Sequence, residues 1–381
     1  MEKNERQLML RNFNWRTYTM VFALVMIAIF FQITTNGIFL NSRNLSTLIR
    51  AMSITGVISL GTVLLIVSGN FDLSVGSIVG LSGGIAAILQ VNFGASTAVA
   101  MLAALVVGIL IGMWNGFWVA YRKVPSFIVT LGGMMVFRGI YLVLTDGITI
   151  TPMRESFGYV SRNFVDPSIG MALGGVAIVC MALLLYSQRR SRAKYGFELK
   201  SMLNFVIKLL VAGVLIVVFV QAMNGYRGIP IPVLILVLLA LVFMFISKRT
   251  RFGRTVYAIG GNAEAARLTG INIKKNVLFL YVITGFLSAI SGILLTARLD
   301  GATAAAGTSF EMDVISACVI GGTSLSGGKG TIFGAVVGAM IIASLDNGMG
   351  LMNLSYNYQS IVKGLVLIMA VWFDTASQQR R

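Results

Sequence analysis

The sequence predicts an all-α polytopic membrane protein with about ten to twelve transmembrane helices, of which one or two are interrupted or re-entrant. Two observations carry this prediction. Only 11% of the 381 residues are charged and 57% are hydrophobic, giving a mean hydropathy of +0.86, whereas soluble domains are about a quarter charged. The chain also contains many apolar runs of about 20 residues, the length that crosses ~30 Å of hydrocarbon.

The candidate spans follow one another along almost the whole chain. They lie near 17–35, 51–69, 75–91, 97–120, 126–144, 168–187, 203–222, 230–247, 277–297, 330–347 and, shorter, 360–374. No small-x-small cleavage site follows the first run, which predicts a retained span instead of a secretory signal peptide. No polar interval is long enough for a soluble domain. We therefore expect a single transmembrane domain over 1–381, with a cytoplasmic loop at 248–276.

The net charge of +17 has a sided distribution. Segments on one side of the predicted spans hold 20 Lys and Arg residues, and the loops on the other side hold 6. The positive-inside rule then places both termini and the 248–276 loop in the cytoplasm. No basic surface with stacking aromatics is visible, so nucleic acid is not an expected partner. The chain has no His, and Cys180 and Cys318 lie in apolar runs, so no metal site is predicted.

Two stretches interrupt the pattern of continuous spans. One is "SGNFDLSVGS" at 68–77, and the other is "EMDVISACVIGGTSLSGGKGT" at 311–331. Non-helical backbone at membrane depth is tolerated only where it is buried in protein or lines a cavity. In transporters such segments commonly frame the substrate path. A re-entrant 311–328 segment would require another broken span if the C-terminus is cytoplasmic.

The glycine-rich part of the second stretch is not a nucleotide-binding loop. The phosphate-loop pattern requires Gly where Thr323 stands and Ser or Thr where Gly330 stands, and no strand precedes it. The pair Gly260-Gly261 also lacks the Lys and hydroxyl that hold a nucleotide and Mg²⁺. We expect no ATP hydrolysis by this chain alone, and no cofactor of its own.

The most polar stretch, "YAIGGNAEAARLTGINIKK" at 257–275, predicts a short cytoplasmic helix. Asn262 is placed to cap residues 264–268, which are good helix formers, and Gly270 is placed to end them. So short a helix needs something to pack against. It is either a connector folded on its own spans or a docking helix for a partner protein.

The sequence of this stretch resembles the conserved cytoplasmic loop of the ABC-importer permeases for monosaccharides, the ribose, xylose, arabinose and galactose group. "FDLSVGS" (71–77), "NGFWVAYRKVPSFIVTLGGM" (115–134), "YRGIPIPV" (226–233), "ACVIGGTSLSGGKGT" (317–331) and "ASLDNGM" (343–349) match that family in order. The resemblance covers nearly the whole chain. Within the family, the forms "AYRKVPSFIVTL" and "SLDNGM" are most similar to the D-xylose permeases.

The resemblance implies that the chain is one subunit of a larger transporter in a bacterial inner membrane. Two permease copies form the pore, an ABC ATPase that binds the ATP docks on the cytoplasmic face, and a periplasmic sugar-binding protein docks on the other. It also implies that the loop contains the helix that couples the permease to the ATPase. That helix comprises Asn262, Glu264, Ala265, Ala266, Arg267 and Gly270.

Several polar residues in apolar surroundings are candidates for the sugar path, because sugar hydroxyls need hydroxyl, amide and carboxylate partners. They are Asp72, Ser74, Asn115, Thr323, Ser324, Asp346 and Asn347. Asp72 and Ser74 have an alternative role as caps of the following helix. The glycines at 132–133 and 321–330 are expected at close helix contacts.

Two other functions remain as alternatives. An ion-gradient-driven sugar transporter needs a titratable group at mid-membrane, and only Asp72 and Asp346 could serve. A membrane enzyme needs convergent catalytic groups, which the sequence does not show. Arg138 is expected to snorkel or to pair with Asp146, and Lys363 to snorkel from a span end.

Overall fold

The computed structural model describes residues 15–197 and 202–379, and this part of the chain is almost entirely helical. The N-terminal half contains α1 (Trp15–Thr34), α2 (Ser42–Val67), α3 (Val75–Ala87, continued by a π turn over Ile88–Asn92), α4 (Thr97–Ala120), α5 (Ser126–Thr145), α6 (Glu155–Arg162) and α7 (Pro167–Lys194). The C-terminal half contains α8 (Met202–Asn224), α9 (Ile231–Arg249), α10 (Arg251–Gly261), α11 (Ala263–Leu268), α12 (Ile273–Leu299), α13 (Phe310–Ile320), α14 (Ile332–Leu351) and α15 (Tyr356–Gln379). Two short strands, β1 (Phe164–Val165) and β2 (Ile229–Pro230), form an antiparallel pair.

Within these ranges, nine helices are long and apolar enough to cross a membrane. They are α2, α3 with its π turn, α4, α5, α7, α8, α9, α12 and α14. Helices α1 (20 residues) and α15 (24 residues) are long enough to add two further crossings, and the predicted all-α polytopic fold is confirmed. We name the face that carries α10 and α11 the inner face, following the positive-inside rule, and the opposite one the outer face.

Helix α13 and the loop after it form one more crossing, which is interrupted and not re-entrant. At its start, Ser309 Oγ lies 3.0 Å from the hydroxyl of Tyr356, where α15 begins at the outer face. Ala317 packs against Gly338 and Gly321 against Gly334, so α13 runs antiparallel to α14. The loop ends at the inner face, where Gly328 N donates to the last carbonyl of α2, Val67 O, at 2.8 Å. The nine candidate spans, α1, α15 and this interrupted segment would together make twelve crossings within the described residues, at the upper end of the predicted range.

Helix α2 lies at the centre of the bundle. It packs against α9, α12, α13 and α14, and its side chains from Ile54 to Val67 are nearly all buried. The buried hydroxyl groups of Ser53, Ser59 and Thr62 each donate to the backbone carbonyl one turn earlier, as Ser53 does to Ile49 at 2.8 Å. Such bonds satisfy polar groups that would otherwise be costly in an apolar interior.

The most extensive helix contact is between α4 and α12, and its glycines differ from those predicted. A Cβ at Gly108 would collide with the backbone carbonyl of Gly285, and a Cβ at Gly112 with that of Tyr281. Small residues let membrane helices approach this closely. Gly132, which was expected at a close contact, faces open space, whereas Gly321 and Gly330 do lie in tight packing.

Two charged side chains have partners other than those predicted. Arg138 does not pair with Asp146. It donates to Ala304 O at 2.8 Å, to Ala306 O at 2.6 Å and to Thr308 Oγ1 at 2.5 Å, all in the segment that joins α12 to α13. Lys363 does not snorkel, because its ammonium group pairs with two carboxylates inside the bundle.

Candidate functional site

The predicted inner-face helix is present as α11. The side chain of Asn262 accepts a hydrogen bond from Ala265 N at 2.9 Å, as a capping residue should. Gly270 follows with φ +82°, a left-handed conformation that glycine adopts without steric cost, and its N–H donates to Arg267 O at 3.0 Å. Local sequence signals were therefore sufficient to define this helix.

The two faces of α11 have different partners. Ala266 is 4% exposed and faces the chain's own bundle, whereas Ala265, Glu264 and Arg267 are exposed. Glu264 and Arg267 form an ion pair on the free face. Leu268 is 76% exposed, and sequence reasoning missed it, although it is a large apolar residue in the most polar stretch of the chain. Glu264, Arg267 and Leu268 together form the exposed face of α11.

Helix α10 connects α11 to the interrupted crossing. Gly260 lies so close to Val67 O and Gly328 N that a Cβ there would collide with both. The hydroxyl of Tyr257 donates to Gly330 O at 2.8 Å. A displacement of α10 and α11 would therefore be transmitted directly to the loop between α13 and α14.

Thr323 and Ser324 lie in that loop, at its inner-face end. Both are buried, and the loop closes on itself through Ser324 N to Lys329 O at 2.9 Å. Within the part of the chain that the structure describes, the hydroxyl of Thr323 is buried without a hydrogen-bond partner. The structure thus places these two predicted path residues in a loop whose Gly327, Gly328 and Gly330 contact α10, a proximity that the sequence does not reveal.

Asp72, Ser74 and Asn115 form a separate buried cluster. Asp72 Oδ1 accepts from Ser74 N at 2.8 Å and from Ser74 Oγ at 2.6 Å, and Asn115 Nδ2 donates to Ser74 Oγ at 2.8 Å. Neither carboxyl nor hydroxyl caps α3, so the capping alternative is wrong. Burial raises the pKa of Asp72 to about 6, opposed by the hydrogen bonds from Ser74.

A cavity of about 290 Å³ lies in the outer half of the bundle, between α2, α12, α13 and α14. Its polar lining includes Thr47, Thr55, Arg298, Asp313, Asp346 and Asn347. Two of the seven predicted path residues, Asp346 and Asn347, therefore line it. Asn347 also exchanges hydrogen bonds with Asn44 of α2, at 2.8 and 3.0 Å, so its amide links two helices.

Lys363 forms ion pairs with the two carboxylates that line this cavity. Its ammonium group lies 2.8 Å from Asp313 and 3.1 Å from Asp346, joining α13, α14 and α15. Buried charges in membrane helices are expected to pair and to face the bundle interior. Sequence reasoning missed Arg298, Asp313 and Lys363, because each lies near a helix end, where a charge is unremarkable.

A bundle of membrane-spanning helices with a polar cavity between them is typical of the membrane-embedded subunit of a transport system. The chain belongs to the family described as the permease component of the branched-chain amino acid transport system, which matches residues 44–371.

Individual relatives are similar over nearly their whole length. The chain is 45% identical to the xylose transport system permease protein XylH of Haemophilus influenzae, over 97% of this chain and 99% of that protein. The chain is 44% identical to the xylose transport system permease protein XylH of Escherichia coli K12, over 97% of this chain and 94% of that protein. Identity to the ribose import permease protein RbsC of the same strain is 33%, over 94% of each chain. No solved structure was found to match.

Proposed function

We propose that this chain is the pore-forming permease of an ATP-driven importer of monosaccharides, and that its substrate is D-xylose. The observation that carries the proposal is the 44–45% identity over nearly the full length to xylose permeases, together with lower identity to a ribose permease. The family description names amino acid transport, but these individual relatives are sugar permeases.

The proposed assembly has two copies of this chain in a bacterial inner membrane. An ABC ATPase, which binds the ATP, docks on the inner face, and a periplasmic sugar-binding protein delivers the sugar at the outer face. Both termini are proposed to be cytoplasmic. The basic residues at 1–14 and 380–381 that favour this orientation lie outside the described residues.

Coupling to the ATPase is proposed to proceed through α11. The exposed face of Glu264, Arg267 and Leu268 docks on the ATPase, while Asn262, Ala265, Ala266 and Gly270 fix the shape of the helix. ATP binding can shift the permease between states only if those states differ in their contacts with the ATPase. The contacts of Gly260 with Val67 and Gly328 offer a direct route for that difference to reach the interrupted crossing.

The sugar path is proposed to begin at the outer cavity, with Asp346 and Asn347 in its wall, and to end near Thr323 and Ser324. The cluster of Asp72, Ser74 and Asn115 does not line the cavity. It is proposed to stabilise the inner turn between α2 and α3.

The first test is uptake of labelled xylose into cells that express this chain with its candidate ATPase and binding protein. Ion gradients are collapsed while ATP is maintained, and unlabelled ribose, arabinose and leucine are added as competitors. Uptake that persists and needs all three components supports the proposal. Uptake that stops with the gradient and needs neither partner identifies a secondary transporter, and competition by leucine alone would contradict the sugar assignment.

The second test addresses α11. Leu268→Asp and Arg267→Glu are expected to lower uptake at least about tenfold, which corresponds to about 1.4 kcal/mol of docking free energy. Lys248→Glu, a charge reversal at an exposed inner-face residue outside α11, is the matched control and should retain uptake. Membrane levels are measured for each variant. Wild-type uptake by both α11 variants would contradict the docking role. Ala266→Asp is less informative, because Ala266 faces the chain's own bundle.

A further inference from the structure

Arg298 lies in the last turn of α12 and lines the outer cavity. It is half-buried, yet among the described residues its guanidinium group has no hydrogen-bond or ion-pair partner. Arg138, by contrast, donates three hydrogen bonds within the bundle. An arginine in a membrane bundle is costly unless its donors are satisfied. The end of a helix favours a cation and carries free carbonyl groups, but among the described residues none of these carbonyls accepts a hydrogen bond from Arg298.

The acceptors of the cavity lie on other helices. Asp346 of α14 lines the same cavity, and its side chain is 36% exposed. The ammonium group of Lys363, which does not line the cavity, lies 3.1 Å from the Asp346 carboxylate. The charges of Arg298 and Lys363 balance those of Asp313 and Asp346. Among the residues that line the cavity and their direct ion-pair partners, positive and negative charges are therefore equal in number, and this separation of donors from acceptors fits a neutral ligand rich in hydroxyl groups better than an ion.

The size of the cavity limits the ligand. At about 290 Å³ its volume is just below the range for small-molecule pockets, roughly 300–1,000 Å³. Thr47 and Thr55 add hydroxyl oxygens from α2, each of which donates to its own helix and keeps lone pairs free. One monosaccharide unit fits such a space, and an oligosaccharide does not.

We propose that Arg298 and Asp346 form a transient monosaccharide subsite in the outer cavity, in which Arg298 donates hydrogen bonds to sugar hydroxyls and Asp346 accepts from them. Lys363 is the positioning residue that holds the carboxylate of Asp346. This subsite rests on the proposed function and extends it, because it places a sugar-contacting arginine in the pore. Its affinity must be low, since a path has to release what it binds.

The subsite is tested in the full chain by two measurements. Saturation-transfer NMR with D-xylose on the permease in lipid nanodiscs detects weak binding, and uptake kinetics are measured with the complete transporter. The variants are Arg298→Gln, Arg298→Lys and the matched control Arg162→Gln. Arg162 carries the same charge near the outer face, and it pairs with Asp300 at 3.1 Å outside the cavity.

We expect Arg298→Gln to lower the maximal uptake rate about tenfold, the size expected for one lost hydrogen bond to a charged group. The KM should change little, because capture by the binding protein sets it. The xylose NMR signal should disappear in Arg298→Gln, persist partly in Arg298→Lys and remain unchanged in Arg162→Gln. ATPase stimulation by the binding protein should be retained by all variants, which shows that they fold and assemble.

The outcomes separate the two proposals. ATP-driven xylose uptake by the wild type, combined with a wild-type rate and NMR signal in Arg298→Gln, overturns the subsite and leaves the importer. A signal from leucine instead of xylose that depends on Arg298 overturns the sugar assignment of the subsite. Absence of ATP-driven xylose uptake in the wild type contradicts the proposed function itself.

Discussion

Replacement of Lys363 by Met should destabilise the folded permease. The side chains of Lys363 and Asp313 are 14% and 12% exposed, so the change leaves Asp313 as a buried charge without its counter-ion. Removing one partner of a buried ion pair costs about 3–5 kcal/mol. The side chain of Asp346 is 36% exposed at the cavity, so its carboxylate stays hydrated when Lys363 is removed. The loss of this second ion pair therefore adds little to the destabilisation. We therefore expect the lower end of that range, about 3 kcal/mol.

The chain provides its own reporter for this measurement. Cys318 is fully buried in α13, the helix that carries Asp313, whereas Cys180 is exposed. In a Cys180→Ser background, a thiol-reactive dye detects unfolding through Cys318 alone. A loss of about 3 kcal/mol accelerates the exposure of Cys318 by up to about 100-fold at a fixed temperature, if the ion pair is broken in the transition state for unfolding.

The double variant Lys363→Met/Asp313→Asn is the decisive control. It removes the uncompensated charge while keeping the shape of the side chain, so most of the lost stability should return. If Lys363→Met unfolds as slowly as the parent, or if the double variant unfolds as fast as the single one, the buried pair does not have the role assigned to it.

Three further predictions concern other parts of the bundle. Arg138→Gln should strip donors from the carbonyls of Ala304 and Ala306, and should lower the yield of folded protein on size-exclusion chromatography more than Arg138→Lys does. Gly108→Leu should push α4 away from Gly285 and cost at least about 1–3 kcal/mol in the dye assay, whereas Gly132→Leu, at an open position, should be tolerated. Asp72→Asn should preserve uptake, because an amide oxygen can still accept from Ser74; Asp72→Ala should not. The folded pKa of Asp72 is raised from 3.8 to about 6, so the unfolding free energy of the parent falls as pH rises through that window. If the unfolding free energy of Asp72→Asn fell with rising pH as steeply as that of the parent, this prediction would be contradicted.

Much of the architecture follows from signals that are local in the sequence. Apolar runs of about 20 residues gave the spans, because crossing hydrocarbon depends on length and composition alone. Helix α11 followed from Asn262 and Gly270, because capping involves only neighbouring residues. Ordered motifs over the whole chain indicated the permease family before any tertiary contact was considered.

The tertiary structure decided which polar residues meet. The sequence indicated both Asp72 and Asp346 as candidates for the sugar path, but the two residues lie in different clusters. It also could not show that Arg298 and Asp346, which are 48 residues apart, line the same cavity. It also assigned Arg138 to Asp146, whereas the acceptors are carbonyls more than 160 residues away. The physical reason is that a membrane helix is apolar on its lipid face and on its protein face alike. Hydrophobic periodicity therefore does not show which side packs against which partner, and only the folded bundle does.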